Sequence, residues 1–519
     1  MTTSRRGAAA WSLTLSYLGQ AVSIVKGIVL VPLYIRHFGL ELYGAWLASA
    51  NIVAMLGLME LGVSSVFYQR LGHAFGARDF KKFASLVAAG AMFMLCLVPL
   101  FMGVALSVAF LVPGVVNAPA STHRTLVTTF LLVSAATVAN LGVTNSIAIT
   151  HAWQRTAIGG VARLAGQLAE VVALLLALRA GQGLVALGVG AALGAAVALA
   201  ITAASVAVLW VRLGLPRPRL DAVVVRELAG ASVQVAVSRI AAQVAGNVET
   251  TIIAAMRGPS AAALYGVTER VFRLAAGLVN PIAGSTLSAF AHLVGERGPA
   301  AARGPLRELS VLWSTAVALV FPLLLVINRE FITLWLGADK FGGQAITVLI
   351  CASSIVSTRV FLAYVCLIAV GDIARASWAM TAESVGRVGL MFIGLHFIGL
   401  PGVPLASLLG GAVLAYLLLP RLLSLRLSAG DSFLPPSQFA GHRGVFAAFV
   451  CGVLLAAVSP AARTWWVLGA WTALSGLLLA IVATTTSLEI RAAVGSKFVQ
   501  MRSRVIRHAR SQPRDKDAS

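Results

Sequence analysis

Charge is scarce in this chain. Only 11% of its 519 residues are Asp, Glu, Lys or Arg, against about 25% in an ordinary soluble domain. Hydrophobic residues make up 59%, and the mean hydropathy is +0.90. No soluble fold could cover that much apolar surface with so few charges. Acidic residues are scarcer still, 18 against 40 Lys and Arg, which gives a formal net charge of +22. In a soluble chain such a balance would point to nucleic acid. Here no basic segment belongs to a soluble domain, so nucleic acid is excluded and the charge is assigned to topology and anionic headgroups. There are four cysteines, Cys96, Cys351, Cys366 and Cys451, all inside apolar runs and without CxxC spacing. They read as small core hydrophobes.

Chemistry-bearing motifs are missing too. The eight histidines are scattered, none at zinc-ligand spacing, so no metal and no cofactor is expected. No phosphate loop of the GxxxxGK type and no GxSxG elbow occurs. The run from Gly188 to Gly194 opens with a GxG pair but follows no strand. As Gly190–Gly194 it is a small-xxx-small contact for helix packing in lipid. Catalytic residues are therefore expected to be absent, and the chain is not expected to be an enzyme.

What is present is a series of uncharged runs of 20 residues or more, enough to cross a bilayer as helices. About fourteen spans are expected, near 11–35, 43–67, 83–112, 125–150, 158–178, 184–211, 229–256, 262–292, 310–336, 345–370, 376–398, 403–420, 444–460 and 465–488. The first, 11–34, is too long for a cleavable leader and reads as a span. With the N-terminus in the cytoplasm, twenty-six Lys and Arg fall on the cytoplasmic side, seven on the other, and seven within spans. That bias puts both termini in the cytoplasm.

A repeat organises the spans. Gly39–Gly44 reads GLELYG and Gly258–Gly266 reads GPSAAALYG, with Tyr43 and Tyr265 offset by 222 residues. Each motif lies between the first and second helix of a six-helix set, and both sets begin on the same side. The expected fold is an all-α polytopic membrane protein: an N-terminal six-helix lobe over 1–222 and a C-terminal six-helix lobe over 223–425, related by a parallel pseudo-twofold. An additional helix pair over 426–490 and a basic cytoplasmic tail over 491–519 follow. The tail carries Arg502, Arg504, Arg507 and Arg510 beside Phe498, Met501 and Val505 and reads as an interfacial helix on anionic lipid.

The stretches VPLYIRHFGLELYGAW and MELGVSSVFYQRLG resemble the opening helices of bacterial polysaccharide flippases of the Wzx type, in the multidrug/oligosaccharidyl-lipid/polysaccharide exporter superfamily. NVETTIIAAMRGPSAAALYGVTERV resembles the start of that family's second lobe, and LWLGADKFGGQAITVL its ninth-to-tenth helix hinge. The resemblance extends to about residue 425. It departs at Glu60, where the family often has Asp, a substitution that keeps the charge.

Ions inside spans need water or a partner, at about 2.5–3.5 kcal/mol each on insertion scales. Glu269 with Arg273 and Glu383 with Arg387 stand at i,i+4, and Arg163, Gln167 and Glu170 form one helical stripe. Lys26, Arg239, Arg270 and Arg359 have no acidic partner at helical spacing. Lys26, Arg239, Arg270, Arg273 and Arg359 are the expected cationic lining of a substrate cavity, suited to a pyrophosphate. Glu60 and Glu249 are the expected ion-coupling carboxylates. The resemblance implies a flippase moving polyprenyl-pyrophosphate-linked oligosaccharide units across a bacterial inner membrane for exopolysaccharide, O-antigen or capsule assembly. It would work by alternating access as a monomer amid membrane lipids, with polymerase and chain-length machinery as partners. The alternatives are a cation-coupled multidrug or metabolite exporter of the same superfamily and a membrane enzyme such as a glycosyltransferase, against which the short loops count.

Overall fold

The computed structural model describes residues 5–57, 67, 70–72, 74–75, 77–153, 155–227, 248–284, 302–370, 372–427 and 436–495. Every regular element among them is helical, as a chain denied water by lipid requires. In order these are α1 (Arg5–Phe38), α2 (Leu40–Leu56), α3 (Phe80–Val115), α4 (His123–Ala152), α5 (Thr156–Arg179), α6 (Val185–Arg212) and α7 (Glu249–Arg257). They continue as α8 (Pro259–Gly284), α9 (Arg303–Leu336), α10 (Gln344–Ala369), α11 (Ile373–Phe397), α12 (Gly402–Leu427), α13 (His442–Ala457) and α14 (Trp465–Thr486). The protein is an all-α, multi-pass membrane protein. Among the described residues nine helices are long and apolar enough to cross a membrane, and α2 and α13 are shorter apolar helices. The expected fourteen spans therefore rest in part on segments outside the described residues, most of 229–256 among them. α8 and α11 fall outside the nine because Glu269, Arg270 and Arg273 on one, and Arg375, Glu383 and Arg387 on the other, dilute their apolar runs.

Two compact units emerge from the packing. One comprises Met1–Gly266 and Met391–His396, the other Val267–Leu390 and Phe397–Ser519. In the first, α6 lies against both α4 and α5, α1 against α5, and α2 against α7. The α5–α6 seam has the close approach expected of the glycine pair. A Cβ on Gly194 would lie 2.7 Å from the Gly166 carbonyl oxygen, and one on Gly190 would lie 2.9 Å from that of Glu170. Dispersion between closely packed backbones replaces the hydrophobic effect that lipid removes. An aromatic cluster of Phe75, Phe83, Trp153 and Trp210 fills one end. In the second unit α9 packs on α13 and α14, and α10 on α12. Cys351 and Cys366 are buried there, whereas Cys96 on α3 is exposed. On a membrane helix an exposed position faces lipid as comfortably as core, so an apolar run alone does not locate a cysteine.

The glycines that open the two LYG motifs share one backbone conformation. Gly39, ahead of α2, has φ 79° and ψ 164°; Gly258, ahead of α8, has φ 87° and ψ 165°. That region is open essentially to glycine alone. Each glycine carbonyl accepts the first helical amide, from Tyr43 (3.2 Å) and Ala262 (3.3 Å). A Cβ on Gly258 would meet nothing within 4 Å, so Gly258→Ala isolates the backbone effect. It is expected to cost about 1–3 kcal/mol, read as a lower thermal midpoint of the purified protein; an unchanged midpoint would refute the assigned backbone strain.

One clasp lies between spans. The Asp372 carboxylate accepts from Arg426 Nε (2.9 Å) and Arg375 Nη1 (3.4 Å), tying the start of α11 to the end of α12. The Arg426 hydrogen bond, with the charges of both arginines, holds this carboxyl below the ordinary carboxylate range. A depressed native pKa gives stabilisation that is complete above the unfolded-state value near 3.9 and is lost as pH falls through the native one. Asp372→Asn is therefore expected to lower stability by about 1 kcal/mol at pH 7. The gap to the parent should close as pH falls through the native pKa, below the ordinary carboxylate range, measured by unfolding in detergent down an acid series.

Candidate functional site

Within the first unit, α1, α4, α5 and α6 enclose a cavity of about 460 Å³ whose walls are polar although the helices are apolar. Lys26 reaches it from α1. Arg163, Gln167 and Glu170 reach it from α5, so the stripe read from their spacing faces one space. Asn140, Thr137 and Thr144 come from α4, and small residues of α6, among them Gly194 and Ala198, leave the room. Lys26 Nζ meets Glu170 Oε2 at 2.7 Å, with side-chain exposures of 26% and 32%. Gln167 donates from Nε2 to Ser23 Oγ (3.2 Å). Its Oε1 is buried with no hydrogen-bond partner among the described residues. The charged wall thus holds two cations and one carboxylate, a positive balance in a low-dielectric setting where a lone ion is costly. Such a wall can accept an anionic group or exchange its internal ion pair for a ligand's.

The expected site residues do not share one place. Lys26 has an acidic partner after all, on another helix, which spacing within α1 could not reveal. Arg273 pairs with Glu269 at 2.6 Å, and Glu383 with Arg387 at 3.0 Å, as their i,i+4 spacing requires. Arg270 is half-buried, and its Nε has no hydrogen-bond partner among the described residues. Arg359 is 1% exposed, deep in the second unit between the rings of Trp313 and Phe439. In this structure it is walled off rather than presented to a cavity. Arg239 and Glu60 lie outside the described residues.

Glu249 is 8% exposed and accepts a 2.7 Å hydrogen bond from the Tyr265 hydroxyl. Around it α2 and α7 are laced together: Asn51 donates to Thr250 Oγ1 (2.5 Å), and Thr251 donates to the Ala48 carbonyl (3.0 Å). Arg257, at the end of α7, donates to the Leu395 carbonyl (2.8 Å). Tyr265 was legible as a mark of the repeat but not as a partner of Glu249, sixteen residues away.

A larger cavity, about 550 Å³, lies in the second unit between the start of α9 and residues 489–494. Its lining is mostly Val, Leu and Ala, with Arg307, Glu308 and Glu489 at the edge. It lacks the converging polar groups of the α1–α6 cavity, which is therefore the candidate site.

No curated protein sequence matches the chain. Solved structures do. A lipid II flippase MurJ in an inward closed conformation is 12% identical over 93% of this chain and 99% of that one, with a TM-score of 0.69. An inward-facing multidrug resistance MATE family transporter is 13% identical over 81% and 100%, TM-score 0.67. The Vibrio cholerae MATE transporter VcmN in its bent form is 15% identical over 82% and 100%, TM-score 0.52. At these identities the likeness is one of fold. The sequence profile of the polysaccharide biosynthesis protein family, by contrast, matches residues 11–291, more than half of the sequence, and with the resemblance already carried by its first, second and seventh helices it makes this chain a member of that family.

Proposed function

We propose that the protein is a flippase. It carries polyprenyl-pyrophosphate-linked oligosaccharide units from the cytoplasmic to the outer leaflet of a bacterial inner membrane, for exopolysaccharide, O-antigen or capsule assembly. The observation that supports this most is the family membership over residues 11–291. The fold it shares with a structure described as a lipid II flippase is compatible with a lipid-linked cargo. The two sequence repeats, 1–222 and 223–425, serve as the alternating lobes, with the helix pair 426–490 and the basic tail 491–519 appended. Both termini are cytoplasmic on the balance of Lys and Arg. The protein acts as a monomer and hands its cargo to polymerase and chain-length machinery.

Electrostatics supply the mechanism. Lys26 and Arg163 make the α1–α6 cavity net positive, so an anionic group of the cargo competes with Glu170 for Lys26. Arg239, Arg270 and Arg273 remain the further cationic candidates along the path, whereas the buried Arg359 is left out of it. Glu60 and Glu249 are the candidate carboxylates for ion coupling, and the Tyr265 hydroxyl holds one oxygen of the second. A second reading, a cation-coupled drug or metabolite exporter, draws on the likeness to MATE structures.

The deciding experiment is the lipid-linked sugar pool of a deletion strain, its leaflet probed with an impermeant sugar-reactive label. Complete units accumulating on the cytoplasmic side, cleared by the wild-type gene, support the flippase. An unchanged pool favours the exporter, and incomplete units would indicate a biosynthetic enzyme.

A further inference from the structure

The second unit holds a charged side chain that the transport reading does not use. Arg359, on α10, is 1% exposed, and no carboxylate of the described residues forms an ion pair with it. Its Nη2 donates to the Gln438 carbonyl at 2.9 Å. Its guanidinium carbon lies 5.9 Å from the centre of the Trp313 ring and 5.7 Å from that of Phe439. Those ring faces and one carbonyl dipole soften the charge but do not cancel it.

Unused donors lie in the same cluster of rings. Among the described residues Arg359 Nε and Trp313 Nε1 are buried without a hydrogen-bond partner, while the His442 ring is held by the backbone of Phe439 and Ala440. The His442 ring sits 5.4 Å from Trp313, 5.3 Å from Phe439 and 5.9 Å from Tyr416. Tyr416 belongs to a π-helical turn, Leu414–Leu418, inside α12, and such turns recur at functional sites. Gln438, 0% exposed, spends its Nε2 on the Pro420 carbonyl (3.2 Å), leaving its Oε1 unpaired. A water could bridge these donors and that acceptor. It would leave the positive charge uncompensated in a membrane-embedded core, and that charge decides between the two occupants.

We propose that Arg359 and Trp313, with the His442 ring packed beside them, form a buried site for a single small anion of the halide class, chloride under ordinary conditions, which locks the 436–439 turn and α13 onto α9 and α10. The near-complete burial of Arg359, Trp313 and Gln438 excludes a phosphate ester or lipid headgroup. Each N–H offered is a donor, as a halide requires. The site is independent of what the protein transports.

The test uses the full-length protein in nanodiscs at constant ionic strength. Replacing chloride by gluconate should lower the thermal midpoint by several degrees, with bromide restoring it. Bromide-soaked crystals should give an anomalous peak within hydrogen-bond distance of Arg359 Nε. Trp313→Phe keeps the ring over the guanidinium and removes only the N–H; it should raise the chloride concentration needed for half-maximal stabilisation about tenfold. Equal midpoints in chloride and gluconate would overturn the proposal. So would a midpoint difference that Trp313→Phe leaves unchanged, the mark of a general salt effect, or density by Arg359 that refines as water and shows no bromide signal.

Discussion

Gly44→Ala is expected to be among the most damaging single substitutions in the chain, lowering stability by about 3 kcal/mol or more. A methyl group there would stand 1.9 Å from the Pro259 carbonyl oxygen, 2.7 Å from its carbon and 2.9 Å from the Ala263 Cβ. Two of those three atoms are backbone, so no rotamer change relieves the clash, and overpacking of this kind costs about 1–3 kcal/mol even where neighbours can yield. They yield poorly here. Gly266 presses on Leu47 from the other side, with its Cβ position 2.8 Å from Cδ1, and the Asn51–Thr250 and Thr251–Ala48 hydrogen bonds fix α2 against α7. The substitution must lift α2 from the start of α8 and break those bonds together. Two measurements check this. The thermal midpoint should fall by well over the amount seen for Gly103→Ala, a helical glycine with nothing within 4 Å of its Cβ position. A disulfide between cysteines placed at Asn51 and Thr250 should form in the parent and fail in the Gly44 variant. Retention of both the midpoint and the crosslink would mean that α2 and α8 can separate without loss.

That contact also marks what a single sequence can disclose. Gly44 and Gly266 were visible because each closes an LYG triplet, although three more helical residues precede the second triplet than the first. Gly39 and Gly258 carry matching backbone angles. Membrane helices were legible because lipid forces unbroken apolar runs. The pairs Glu269–Arg273 and Glu383–Arg387 were legible because helical periodicity places their members on one face. Periodicity is silent about which face meets which helix. Lys26 and Glu170 stand 144 residues apart and reveal nothing of each other until α1 and α5 pack. Arg359 was readable as a cation without a carboxylate. Its place among Trp313, Phe439 and His442 depends on helices 46 to 83 residues away. Charge inside a span signals that compensation exists, whereas its source is a property of tertiary packing.

The Lys26–Glu170 pair yields the second large effect, and its direction separates structure from transport. Exposed ion pairs are worth about 0–1 kcal/mol and fully buried ones cost about 3–5 kcal/mol when one partner is removed. With a quarter to a third of each side chain open to the cavity, a loss of about 2 kcal/mol is expected for either single neutralisation. The two are not equivalent. Lys26→Met leaves Glu170 with Arg163 on its own helix, two turns away and lining the same cavity. Glu170→Gln leaves Lys26 and Arg163 both without a carboxylate in that lining, so it should be the less stable variant. The exchanged pair, Lys26→Glu with Glu170→Lys, restores attraction across α1 and α5 but sets the new lysine beside Arg163, and should recover about half of the lost stability. Export should not follow stability. A cargo anion that displaces Glu170 from Lys26 needs the cation on α1 and the carboxylate on α5. The exchanged protein should therefore reach near-normal levels in the membrane yet leave lipid-linked sugar on the cytoplasmic side. Recovery of export in step with protein level would reduce the pair to a packing element and remove it from the transport path.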